Sequence, residues 1–247
     1  MSFGVPTVPT SGTVSVGAAA TTTGSITVDS TACYLVCVTA RHATVAFTDT
    51  TTVSGMSLTW TKLSNVQQNS GLEQMTVFAG YGTGGTTGTL TITLSQTAAS
   101  GRYVVIVIPG ARRSTNPYTG TADSATGTGT TGTVNLGTQH GGSWRFGFWS
   151  HAAAELVTPD TTGATWAELH DQSTTSIALE VQYTSGGDYT HTATWATSSR
   201  WMGIVIELDN YAGYYAALSK DETPLGAAPM TYIMPEGDEA AWAIIGC

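Results

Sequence analysis

Charge is what this chain has least of: Asp, Glu, Lys and Arg together make up 10% of its 247 residues. An ordinary helical enzyme sits near about a quarter charged, and a disordered chain cannot reach the 41% hydrophobic content found here. Basic residues are scarcer than acidic ones, 8 against 17, and the only adjacent pair is Arg112 and Arg113. The clustered cations that a phosphate backbone requires are therefore missing, and no nucleic-acid partner is expected.

Other shortages exclude further classes. No apolar run approaches the roughly 20 residues of a spanning helix, so no membrane partner is expected. The first cation is Arg41, so no basic region precedes an apolar stretch and no secretory signal is expected. There are three cysteines. Cys33 and Cys37 lie in the strand-like run CYLVCV, where four residues of rise separate their Cα atoms by roughly 13 Å. A disulfide needs about 7 Å or less, so free buried thiols and assembly in a reducing compartment are expected.

Catalytic signatures are lacking as well. There is no Gly-x-Ser-x-Gly nucleophile turn. The stretch GYGTGGTTG has no Lys-Ser/Thr to serve a phosphate and is read as a hairpin turn. The five histidines, His42, His140, His151, His170 and His191, are scattered rather than set at zinc-ligand spacing. Glu155, Asp160, Glu168, Glu180 and Asp188 are the candidates for a glycosidase pair, which needs two carboxyls about 5 Å apart or somewhat more. PEGDE, at 235–239, falls short of a calcium loop. The expectation is a protein that is not an enzyme, with no cofactor and no metal.

What the chain does have is threonine, 46 of them, and 29 glycines. β-branched residues fit pleated surfaces and glycine serves tight turns, so the mixture predicts many short strands and almost no helix. TLTITLS alternates Leu90, Ile92 and Leu94 with threonines, as a strand with one wet face does. YVVIVI, at 103–108, is apolar throughout and predicts a central strand covered on both faces.

The same strand is written twice. GRYVVIVIPG and SRWMGIVIEL each run Arg, aromatic, two small or apolar residues, Ile-Val-Ile, with Arg102 and Arg200 98 positions apart. Working backward, the preceding pieces match in order. YLVCVTARHA answers WRFGFWSHAA, each closing on His-Ala at His42 and His151. A Thr, Asp and Gly-rich turn follows, then strands around Trp60 (LTWTKL) and Trp166 (ATWAEL), then EQMTVFAGY and IALEVQYTS, then TLTITLS and THTATWA. Ordered matches of this kind are the mark of an internal repeat. His42 and His151 are expected as strand-end histidines with structural hydrogen bonds.

The fold class predicted is all-β, a jelly-roll-like β-sandwich built from two internal repeats with a C-terminal extension. The divisions are residues 1–14 as an N-terminal arm, 15–112 as the first repeat, 113–124 as a connector, 125–210 as the second repeat, and 211–247 as a C-terminal arm or extension. The two repeats form separate sandwiches or pool their strands into one body, and the pooled form is favoured.

This doubled order of strands, over about residues 15 to 210, resembles the jelly-roll-like double-repeat modules of virion structural proteins of tailed bacteriophages and related bacterial surface proteins. The resemblance implies a capsid decoration, head-fibre or tail component that acts in the virion after assembly in the host cytoplasm. Its partners would be copies of itself and other virion proteins such as the major capsid protein. It implies no catalytic residues.

Residues 211–247 break the pattern, with two threonines and one Lys against five acidic residues. Their apolar clusters, Tyr211, Tyr214 and Tyr215, then Met230, Tyr232 and Ile233, then Trp242, Ile244 and Ile245, would be costly to leave in water. They either pack back on the sandwich or dock on a neighbouring subunit. The alternative function, a glycan-binding module of a tail or fibre, rests on WRFGFW. There Trp144, Phe146 and Phe148 share one strand face, expected as core, while Trp149 on the other is the candidate for stacking on a host-surface sugar.

Overall fold

A computed structural model of the chain describes residues 4–82, 85–111, 118–137, 143–153, 155–159, 166–173, 176–185 and 189–208. These residues form strands and no helix. The first half supplies β1 (Thr7–Thr13), β2 (Ala20–Thr22), β3 (Cys33–Arg41), β4 (Thr52–Gly55), β5 (Thr59–Gln68), β6 (Glu73–Tyr81), β7 (Leu90–Thr93) and β8 (Ser100–Ile108). The second supplies β9 (Tyr118–Asn135), β10 (Trp144–His151), β11 (Thr158–Pro159), β12 (Ala167–Ser173), β13 (Ala178–Thr184) and β14 (Thr190–Leu208).

The strands form three antiparallel sheets. One has five strands in the order β1-β8-β3-β6-β5, a small one runs β2-β7-β4, and the third runs β11-β14-β10-β13-β12 with β9 also paired to β14. The halves share a plan: β1-β8-β3-β6-β5 in the first is matched by β9-β14-β10-β13-β12 in the second. The outer sheet β2-β7-β4 is likewise matched by the far ends of β9 and β14 with β11, since β14 pairs β9 over Thr131–Asn135 and β11 over Thr158–Pro159. The second half thus runs two continuous strands through both layers, with a register break between Thr194 and Ser199 where the ladder turns from one to the other.

Strand periodicity sets the layers. Along β8, Val104, Ile106 and Ile108 point into a central core, while Tyr103, Val105 and Val107 point into an outer one. The unbroken apolar run is therefore a strand covered on both faces, as its composition predicts. The central core joins Leu35, Cys37, Met75, Val77 and Ile106 of the first half to Phe146, Phe148, Val181 and Ile204 of the second. The central core thus draws on strands of both halves. The first outer core holds Val36, Phe47, Leu90, Ile92 and Leu94, with Thr91 and Thr93 turned outward from β7.

The two large sheets stack in opposite order, so that β5 lies against β9, β1 against β12 and β8 against β13. At the middle, Thr39 of β3 and Ser150 of β10 share a hydrogen bond of 2.8 Å. A common irregularity marks both halves: β5 slips register at Leu63 and β12 at Leu169, each three residues after its tryptophan, and both leucines pack on the central core.

Several expectations are corrected. Residues 7–13, expected within an N-terminal arm, form the edge strand β1. Residues 118–124, expected in the connector, open β9. GYGTGGTTG does not close a hairpin, because β6 belongs to a five-stranded sheet and β7 to the three-stranded one. Cys33 and Cys37 are buried and unbridged, and burial pushes the Cys33 thiol up to about 12.

Candidate functional site

Alternation along β10 aims Trp149 away from Phe146 and Phe148, into the outer core of the second half rather than into solvent. Trp149 is fully buried, packed with Trp195 and Trp201 at ring-centroid distances of 6.5 and 5.7 Å. It cannot stack on a sugar. The sequence pattern shows which face Trp149 occupies but not that β9 and the start of β14 roof that face over. Phe146 and Phe148 are core, and Trp144 stacks on Tyr183 at 5.5 Å.

Around Trp149 lies a polar chain that the sequence reading missed. The indole N–H donates to His191 Nδ1 at 3.0 Å. His191 Nε2 lies 2.7 Å from Gln182 Oε1, an oxygen that only accepts, so the ring carries its proton on Nε2. The Gln182 amide in turn donates to Glu180 Oε1. Trp166 stacks on His191 with centroids 3.9 Å apart. Glycine makes the space: a Cβ on Gly147 would lie inside the His191 ring.

Glu180 is paired across the strands with Asp171. Burial raises the Glu180 carboxyl to about 9, against the pull of the Gln182 amide, with Asp171 and Glu168 adding to the rise. Asp171 is raised to about 6, again mainly by burial and then by Glu168. At neutral pH Glu180 is therefore an uncharged acid, and its Oε2 has no hydrogen-bond partner among the described residues. Of the other candidate carboxylates, Glu155 accepts from the Thr197 backbone N–H at 2.6 Å, Glu168 is exposed, and Asp160 and Asp188 lie outside the described residues. Among the described residues no group of three His, Cys, Asp or Glu side chains is placed to hold a metal.

A second polar site lies between the halves. The tight β5–β6 turn at Asn69 and Ser70, both with positive φ, delivers Glu73 to the start of β6. Arg200, 127 residues away, grips that carboxylate through Nε and Nη2, the latter at 2.5 Å, and Arg41 Nε stands 3.6 Å from it. Arg102, the counterpart of Arg200 in the repeated strand, also crosses to the other half, donating to the Ser173 carbonyl at 2.7 Å. Arg41, Glu73 and Arg200 line a shallow cleft with Ser150, His151 and Ser176, its floor too tight for a water molecule.

His42 and His151 do hold turns at strand ends. His42 Nδ1 accepts from the Thr44 and Val45 N–H groups, and His151 Nδ1 accepts from Ala153 N–H at 3.2 Å. Burial lowers the affinity of His151 for a second proton, although Glu155 works the other way. With Nδ1 accepting, the neutral ring carries its hydrogen on Nε2, which is buried and has no hydrogen-bond partner among the described residues.

Tyr211, Tyr214, Tyr215, Met230, Tyr232, Ile233, Trp242, Ile244 and Ile245, the candidates for subunit docking, lie outside the described residues. No helix of the described residues is long and apolar enough to cross a membrane. No family model matches the chain, and neither a curated protein nor a solved structure matches it.

Proposed function

We propose that this chain is a non-enzymatic structural subunit of a bacteriophage virion, a capsid decoration or accessory head or tail protein that works through contacts with copies of itself and with a lattice protein. The observation that carries the reading is the use of charge in the body. Arg200, Arg102 and the fully buried Arg145–Glu207 pair at 3.2 Å tie strands and halves to one another. Such bonding serves rigidity, and a lattice component has to keep its shape under its neighbours. The apolar clusters of residues 211–247, with four tyrosines and Trp242, supply chemistry suited to subunit contacts. Burial of Trp149 removes the residue on which glycan recognition rested.

Light scattering of the full chain, set beside the Ile244→Asp/Ile245→Asp variant and a chain ending at Asn210, tests this. A defined oligomer that becomes a folded monomer in both altered chains supports self-association through the C-terminal segment. Folded monomers throughout, with no binding to purified capsids, overturn it.

A further inference from the structure

Three acids share one face of the β12–β13 ladder. Register sets Asp171 opposite Glu180 and Glu168 opposite Gln182, and directly opposed residues put their side chains on the same side of the sheet. Glu180 is fully buried, one of its carboxyl oxygens takes the Gln182 amide, and the other has no hydrogen-bond partner among the described residues. Asp171 Oδ1 is buried in the same condition, while the Val157 and Gln172 N–H groups favour the charged form of its carboxyl. As two carboxylates these neighbours could only repel. The first half has a neutral pair at the matched place: two residues after the slip at Leu63, Asn65 stands opposite Thr76 and accepts its hydroxyl at 2.7 Å.

Among the described residues nothing that faces Glu180 supplies a countercharge. The charged groups acting on it are Asp171 and Glu168. From β10 it is opposed by Trp149, and from β14 His191 reaches it through Gln182. Arg145, further along β10, pairs with Glu207. His170 is opposed to Val181 of the central core, so it belongs to the other face, as does Arg102, which shares the side of β8 that carries Val104 and Ile106. Burial therefore keeps the proton on Glu180 up to about pH 9 and on Asp171 up to about 6.

β12 is the strand that repulsion would move. It is an edge strand bonded to β13 alone, whereas β13 is bonded on both sides. Its residues are half-buried or exposed, and beyond the ladder it is tied by Leu169 in the central core and by Arg102 on the Ser173 carbonyl at its far end. We propose that protons on Glu180 and Asp171 latch β12 onto β13, and that their loss sets carboxylates against one another across the ladder and lifts β12 over residues 167–171. Ser173 stays anchored and the rest of the body stays folded, an opening of one edge rather than of the whole chain. The closed strand keeps protons that the open strand gives up, so opening releases protons and is favoured as pH rises. This inference stands independently of the virion reading.

Amide hydrogen exchange, followed by NMR in the full chain from about pH 5.5 to about pH 8, tests the latch, with each rate divided by that of an unstructured amide. Protection of the β12 amides bonded to β13 is expected to fall by up to about tenfold per pH unit for one proton. That of β5, the matched edge strand with the neutral Asn65–Thr76 pair, is expected to stay level. Glu180→Gln, uncharged at every pH, is expected to hold β12 protection level. Asp171→Asn removes one of the opposed charges and is expected to make the fall shallower, and it carries the test where Glu180→Gln does not fold. The proposal is overturned if β12 protection is level in the parent chain, if it falls in step with β3, β5 and β8, or if the variants that fold keep the parent's slope.

Discussion

The two outer cores of this protein have the same strand order above them and different chemistry inside. In the first half Val36, Phe47, Met56, Leu90, Ile92 and Leu94 fill most of the space, and the only buried polar cluster on that face among the described residues, Gln74 with Thr51 and Thr76, carries no ionisable group. In the second, Trp149, Trp166, Trp195 and Trp201 enclose His191, Gln182 and Glu180. An aliphatic core needs volume and little else. The aromatic one needs volume and also a hydrogen-bond route from indole to imidazole to amide to carboxyl, in which each member has one correct partner. The difference teaches that one β plan carries either kind of core, and that only the second kind makes stability answer to pH.

The sharpest way to break the comparison is at Gly147. Its Cβ would sit in the His191 ring, so Gly147→Val is expected to cost more than about 4 kcal/mol or to prevent folding. The exposed Gly17 has open space around it, though its φ of +73° makes Gly17→Ala mildly strained. Urea midpoints of the two variants measure the gap.

Core truncation comes next. Trp149→Ala is expected to lose about 3–5 kcal/mol and Ile92→Ala about 2–5. The tryptophan change also strands His191 Nδ1, so its loss should shrink when His191→Leu is already present. Additivity in that double-mutant cycle would deny the polar coupling.

pH separates the halves more gently. The folded Glu180 carboxyl titrates at about 9 against an ordinary 4.5, and Asp171 at about 6 against 3.8. Between those limits the folded state keeps a proton that the unfolded chain has released. Unfolding therefore releases protons, and stability falls as pH rises from 4.5 toward 9, by at most about 1.4 kcal/mol per pH unit for one proton. Glu180→Gln is expected to flatten that slope and to raise the melting temperature at pH 8. A slope unchanged in the variant would place the titrating group elsewhere.

The smallest effect is expected at the surface of the first half. Lys62 and Asp49 form a 2.6 Å ion pair with the carboxylate largely exposed, and Lys62→Met should cost about 0–1 kcal/mol and less in high salt. Thermal melts at two salt concentrations check it.

Much of the fold was legible because strand faces are a local matter. The alternation of Leu90, Ile92 and Leu94 with threonines, and the unbroken run from Tyr103 to Ile108, name their environments without knowledge of any partner. The candidate sites were legible only in part. Glu180 stood among the acids worth watching, yet Asp171, its cross-strand neighbour, did not, because the slip at Leu169 sets which residues oppose each other. Asp171, set between His170 and Gln172 five residues after Trp166, was the available signal.

By itself the sequence determined the strand periodicity and the all-β class of the described residues. These follow from side-chain shape and a period of two, which act between neighbours in the chain. Only the tertiary structure decided that Trp149 is roofed over, that Arg200 meets Glu73 across 127 residues, and that His151 comes to lie beside Arg41 and Arg200. Those outcomes depend on how two sheets stack and on the low dielectric between them, and stacking distance is a property of the assembled layers that no local pattern encodes.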